Sequence, residues 1–147
     1  MDDTSLPIEA VIEIRDQCLC LATQRAARLL ARRFDRLFAP LGLTNGQFSM
    51  LVALSGRWAP RLGELAAFLA MEPATVTAAM RTLERKGLIS LQCDPDDSRA
   101  RRAVLTDSGR RLVVRAVPLW RDEHRRLTAD LPDGEAESLT RLLSQLG

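Results

Sequence analysis

Apolar positions along this chain recur mostly at helical spacing. Ile8, Val11, Ile12, Cys18, Leu19, Ala22, Ala26, Leu29, Leu30, Phe34, Leu37 and Phe38 keep to one broad face, which predicts a single long helix ended by Pro40 and Gly42. Thr44 or Asn45 caps a second helix carrying Phe48, Leu51, Val52 and Leu54, and the stretch from Gly56 to Pro60 breaks it. A short helix follows from Leu62 to Ala70. The next starts near Pro73, where a missing N–H is harmless, and runs to Lys86 before Gly87 stops it. There the period changes. Leu88 to Leu91 is too short and too apolar for another helix and reads as a strand. Asp94 to Ala100 is a turn broken by Asp-Pro, and Arg101 to Leu105 is the returning strand. Thr106 then caps a long helix with Leu112, Val113, Ala116, Val117, Trp120, His124, Leu127 and Leu131 on its stripe, and Pro118 is expected to kink it. Pro132 to Gly134 precede a last helix with Leu139, Leu142, Leu143 and Leu146.

The predicted class is mainly α with a small β-hairpin. Two short helices, a tight turn and a hairpin, in that order, form a winged helix-turn-helix. Leu65, Ala66 and Leu69 on the first short helix face Val76, Met80 and Leu83 on the second, with Ala66 small enough for a close crossing and Met71 plugging the turn. That leaves Thr75, Thr77, Ala78, Arg81 and Arg85 outside the apolar set, where a recognition helix would meet the major groove. Hydroxyls can meet base edges or phosphates, Ala78 a thymine methyl, and Arg81 a guanine or a phosphate.

The stretch DPDDSRARRAVLTDSG from Asp94 crowds both signs of charge into the turn of the hairpin. A wing needs arginine at its tip to meet the negative potential of the DNA backbone or minor groove. A neighbouring carboxylate can aim that arginine. Asp97 and Arg99 are two apart in an extended segment and share a side, Arg101 continues it, and Arg102 faces the other way. The aspartates therefore orient the arginines and hold the turn.

Bulk composition adds less. The chain has 147 residues, 46% hydrophobic and 27% charged, with a net charge of +2, which fits one soluble globular unit and does not by itself select nucleic acid. The quality of the charge says more: Lys86 is the only lysine, and arginine offers a planar fork suited to phosphate and guanine. No apolar run is long enough to span a membrane, and the acidic start MDDTSLPIEA does not read as a signal peptide, so a cytoplasmic location is expected. One histidine, no glycine-rich phosphate loop and no nucleophile motif argue against an enzyme. Three cysteines without a CxxC pair form neither a disulfide framework nor a zinc site, and no cofactor or metal is implied.

On the residues GLTNGQFSMLVAL, RLGELAAFLAMEPATVTAAMRTLERKGLI and DPDDSRARRAVLTDSG, the chain resembles the MarR family of bacterial transcription regulators. The resemblance spans essentially all of 1–147 and implies a homodimer whose first and last two helices interlock. In that reading, 44–105 is the winged DNA-binding part and 8–40 with 106–147 the helical dimerisation part. Pro73 to Lys86 is the recognition helix, and Asp97 and Arg99 carry over as the wing pair. Leu91-Gln92 and Ser98 stand where the family often has basic residues, which shifts the expected grip to Arg101 and Arg102. Two recognition helices and two wings would read double-stranded DNA at a near-palindromic operator with half-sites about one turn apart. A winged module used only for protein contacts is the alternative without DNA.

Members of the family usually release DNA on a chemical signal, and two readings stay open. The favoured one is a small aromatic or phenolic ligand held by Phe34, Phe38, Phe48, Met50, Trp58, Trp120 and His124. The other is a peroxide-sensing thiol. Cys20 falls where the organic-hydroperoxide-sensing branch keeps its first-helix cysteine, although this chain has no tyrosine to stabilise a thiolate and Phe34 stands where one is expected. The plainer reading makes all three cysteines packed hydrophobes. Within one helix, Cys18 and Cys20 would diverge by about 200° and could not bridge each other.

Overall fold

The computed structural model describes residues 5–56 and 58–146. Where the periodicity predicts one long helix there are two, α1 (Ile8–Gln17) and α2 (Leu19–Phe38). Cys18 lies between them with φ −74° and ψ 106°, extended rather than helical. Its Sγ accepts the Leu21 N–H at 3.4 Å, so a sulfur occupies the capping role that an oxygen usually fills. No proline or glycine marks this break and the apolar stripe runs straight across it, so the pattern does not reveal it.

A short 3-10 turn (Ala39–Leu41) and Gly42, at φ 70°, lead to α3 (Asn45–Ala53). Thr44 Oγ1 accepts the Gln47 N–H and Gln47 Oε1 accepts the Thr44 N–H, each at 3.2 Å, a reciprocal capping box. The Asp35 carboxylate also accepts the Asn45 N–H at 2.6 Å, which ties the start of α3 to α2. Then come α4 (Leu62–Phe68) and α5 (Pro73–Arg85), strands β1 (Ile89–Cys93) and β2 (Arg101–Leu105), and helices α6 (Asp107–Thr128) and α7 (Glu135–Leu143). The strands pair antiparallel with Ile89 opposite Leu105 and Cys93 opposite Arg101. Helix α6 runs continuously through Pro118, and Leu146 lies beyond the end of α7.

One apolar core runs through the molecule. Phe34 and Phe38 of α2, Phe48 and Leu51 of α3, Leu65 of α4, Met80 and Leu83 of α5, Ile89 and Leu105 of the hairpin and Val113 and Ala116 of α6 belong to a single cluster. The rings of Phe38 and Phe48 lie 4.4 Å apart at its centre. Thr106 locks α6 onto the end of α5. Its N–H donates to the Leu88 carbonyl at 3.1 Å and its hydroxyl to the Gly87 carbonyl at 2.7 Å, while the hydroxyl oxygen accepts the Gly109 N–H at 3.0 Å. By contrast α1 and α7 contribute no buried residue, and Ile8, Val11, Ile12, Leu139 and Leu142 are exposed along them. Among the described residues no helix is long and apolar enough to cross a membrane.

Two substitutions at backbone-critical positions are expected to act with opposite signs. A Cβ on Gly109 would sit 2.1 Å from the Leu88 carbonyl oxygen. Gly109→Ala should therefore cost about 1–3 kcal/mol, or more if α6 must lift off β1. Ala70, in the tight turn between α4 and α5, has φ 51°, a left-handed conformation that costs a Cβ-bearing residue about 1 kcal/mol. Ala70→Gly should leave stability equal or raise it slightly. Urea unfolding followed by circular dichroism checks both.

Candidate nucleic-acid interface

Helix α5 presents the surface that the sequence leads one to expect. Val76, Met80 and Leu83 are fully buried and pin it against α4 through Leu65 and Ala66. Turned away from them, Thr75, Ala78, Arg81 and Arg85 are exposed and Thr77 is half-buried. The Thr77 hydroxyl donates to the Pro73 carbonyl at 2.9 Å. Its proton is thereby used inside the helix, and the oxygen is left to accept from a base or water. Arg85 donates to Thr82 Oγ1 at 2.9 Å, near the far end of the helix.

The hairpin stands beside α5 and is tied to it by Glu84, whose carboxylate accepts the Leu91 N–H at 2.9 Å. Its turn is organised by a different aspartate from the one expected. Asp97 Oδ1 accepts the Arg99 backbone N–H at 3.0 Å and shapes the loop, and among the described residues no ion pair joins it to the Arg99 guanidinium. The carboxylate that gathers arginines is Asp94, only 3% exposed. It accepts from Arg61 Nε at 2.9 Å and Nη2 at 3.0 Å, from Arg102 Nε, and from the backbone N–H groups of Asp96 and Asp97 at 2.8 and 2.9 Å. Arg102 also donates to the Ala59 carbonyl at 2.6 Å. The Arg102 fork is thus turned inward to the protein, which corrects the expectation that it grips a phosphate. Arg61 was not among the sequence candidates; it stands before α4 with nothing local to mark it. Arg101 leans on the opposite Cys93, donating to Sγ at 2.7 Å. Arg61, Gly63, Thr77, Arg99 and Arg101 line one open cleft between α4, α5 and the wing, and Arg81 borders its continuation with Glu84 and Leu91.

The residues expected to hold a ligand fall into three separate groups. Phe34, Phe38, Phe48 and Met50 are buried members of the core cluster. Trp58 meets Phe68 edge-on at 5.4 Å, on the exposed side of α4. Trp120 and His124 stack at 4.9 Å on α6. The cysteines also depart from expectation. Cys20 and Cys93 are exposed and Cys18 is intermediate, so none is a packed core atom within this chain. Gln24 donates to Cys20 Sγ at 3.1 Å. Because Cys18 is extended, the helical divergence that separates it from Cys20 in the sequence reading does not apply.

The Arg61 fork, and after it the Asp96 and Asp97 N–H groups and Arg102, hold the Asp94 carboxyl well below its ordinary value of 3.8, against burial, which pushes the other way. Asp94 in turn raises Arg61, helped by the nearby charges of Asp97 and Glu64. A depressed carboxyl stabilises the fold fully above its unfolded pKa, and that contribution fades as pH falls through the folded value. The stability difference between wild type and Asp94→Asn is therefore expected to be constant from neutral pH down to about 5 and to shrink only below about 4. Urea titrations at stepped pH check this; a gap that closes between pH 7 and 5 would contradict it.

Against known proteins, the sequence model of the MarR family matches residues 43–100. The Mycobacterium tuberculosis transcriptional regulator MosR, solved in complex with DNA, is 37% identical and superposes with a TM-score of 0.80 over 88% of this chain and 93% of its own. The transcriptional repressor CouR, bound to a 23-mer DNA duplex, is 28% identical with a TM-score of 0.81 over 97% of this chain and 99% of that one. An HTH-type transcriptional repressor of Mycobacterium tuberculosis, Rv2887, is 29% identical over 123 residues, which is 84% of this chain and 88% of the relative. These relatives are transcription regulators rather than enzymes. With a winged helix-turn-helix whose two arms share one arginine-lined cleft, and with relatives of this extent, the chain belongs to the MarR family of DNA-binding transcriptional regulators.

Proposed function

We propose that this chain is a homodimeric repressor that grips a near-palindromic operator and releases it on a chemical signal. The observation that carries the reading is the shared cleft: Arg81 from the recognition helix and Arg99 and Arg101 from the wing open onto neighbouring surface. A winged module that only docks proteins has no need of arginine on both arms. Within the site, Thr75, Thr77, Ala78 and Arg81 face the major groove, Arg85 stands at the flank, and Arg99 and Arg101 meet the backbone or minor groove. Asp97 shapes the wing loop that carries Arg99. The exposed apolar residues of α1 and α7, with Leu29 and Leu30 of α2 and Leu119 of α6, are what a second copy would cover. Repression is taken from the relatives named as repressors.

For the signal, the ligand reading retains Trp120 and His124, a stacked pair that an aromatic carboxylate or phenol could extend beneath a partner helix. A second reading is favoured by the break at Cys18. A hydroperoxide would oxidise the exposed Cys20 thiol to a sulfenic acid and leave as an alcohol. The Cys18 thiol would then attack that sulfur, expelling water and forming a disulfide at the α1–α2 junction.

Arg99→Ala is expected to weaken operator binding by about 1–3 kcal/mol, whereas Arg81→Ala should chiefly lower the ratio of operator to random-duplex affinity. Fluorescence anisotropy at fixed salt reads both, and an unchanged ratio for Arg81→Ala would remove it from base reading. The thiol reading expects near-stoichiometric organic hydroperoxide to release wild type but neither Cys18→Ser nor Cys20→Ser. Equal retention of DNA by all three would leave the ligand reading.

A further inference from the structure

We propose that Asp94 is a positioning residue for DNA recognition: through Arg61 and Arg102 it holds the wing at the angle from which Arg99 and Arg101 reach the same duplex as α5. The inference rests on the DNA-binding reading and adds a residue that touches no DNA.

Asp94 is the one buried charged residue among those described. Its partners come from three separate stretches: Arg61 ahead of α4, Arg102 on β2, and the backbone of the turn at Asp96 and Asp97. Further bonds close the same joint. Arg102 reaches the Ala59 carbonyl, and the Ala103 N–H donates to the Pro60 carbonyl at 3.2 Å, which draws the segment before α4 against β2 as a third extended piece. The wing, the start of α4 and, through Glu84, the recognition helix are thereby joined.

Energetics alone do not account for such a group. Burying the carboxylate costs much of what its attraction to two partly exposed guanidinium groups returns, and apolar replacements of buried ion pairs are often no less stable. Fork geometry gives direction instead, because each guanidinium offers its N–H groups in a fixed plane. Among the ties at this joint, Asp94 is the group whose side chain meets the wing turn, β2 and the segment before α4 together.

The electrostatic alternative predicts the opposite sign. Asp94→Asn removes a negative charge close to DNA and frees two arginines, which by charge alone should tighten binding to any duplex. Positioning predicts weaker binding to the preferred duplex and equal or tighter binding to random sequence. The experiment uses the full chain, a duplex enriched by wild type from a random pool, and the unenriched pool. Wild type, Asp94→Asn, Arg102→Lys, Arg99→Ala and the double variant Asp94→Asn/Arg99→Ala are titrated by anisotropy across a salt series. Circular dichroism at the assay temperature confirms that each is folded, and Arg102→Lys keeps the charge while losing the fork should Asp94→Asn unfold. The expected result is about tenfold weaker binding of the enriched duplex by Asp94→Asn and by Arg102→Lys, with Asp94→Asn costing less in the Arg99→Ala background than in wild type, as for residues that share a contact. Folded Asp94→Asn or Arg102→Lys that binds the enriched duplex as tightly as wild type, or effects of Asp94→Asn and Arg99→Ala that simply add, would overturn the proposal. Wild type that enriches no sequence and binds the pool without a salt slope defeats the DNA reading itself, and the proposal with it.

Discussion

The one buried carboxylate among the described residues, that of Asp94, joins the segment before α4, the turn of the hairpin and β2. Its burial would be costly were it not met by two arginine forks and two backbone N–H groups, which leave no lone pair idle. That requirement decides the fate of its neighbours. Arg102 points inward, the chain before α4 lies against β2, and Asp97 is free to shape the loop. Arg101, next to Arg102 on β2, faces the other side of the strand, and Arg99 is exposed in the turn before it.

A second joint sits at the other end of the hairpin. Thr106 closes the end of α5, starts α6 and lets Gly109 lie against the Leu88 carbonyl, so that the long helix leaves the wing at a defined angle. Only a residue without a side chain allows that approach. Between the two joints the recognition helix is held along its length: Val76, Met80 and Leu83 below, Glu84 to the wing, and Lys86, which donates to the Gly42 carbonyl at 2.9 Å and to Gln47 at 3.1 Å. The chain's only lysine therefore links the end of the recognition helix to the corner between α2 and α3.

Away from these joints the molecule looks unfinished. Helices α1 and α7 are amphipathic, yet none of their residues is buried. The Arg33–Glu123 pair fastens α2 to α6, and Arg33 holds the Glu123 carboxyl below its ordinary range. Signal reception and pairing of two copies would both act on this helical end, while the winged end is already held together by its own hydrogen bonds.

The sequence by itself determined the order of elements, because period, caps and breakers are local properties. Thr44 with Gln47 and Thr106 with Gly109 mark ends through bonds to residues a turn away, Pro73 through its missing N–H and Gly87 through its positive φ. It also placed Thr75, Ala78, Arg81 and Arg85 on one outer face, since helical spacing and the buried face of Val76, Met80 and Leu83 leave no other side. Tertiary structure alone decided which aspartate in DPDD collects the arginines, because Arg102 finds its second partner at Ala59, 43 residues away in sequence. The same holds for the aromatic set: Phe38 and Phe48 are core, and Trp120 is surface, for reasons of packing between helices that a one-dimensional stripe does not encode. The break at Cys18 belongs here too. Nothing in the local residues interrupts the helical pattern, and no buried residue of α1 marks the break either; it shows only in the extended backbone of Cys18 and its sulfur cap on α2.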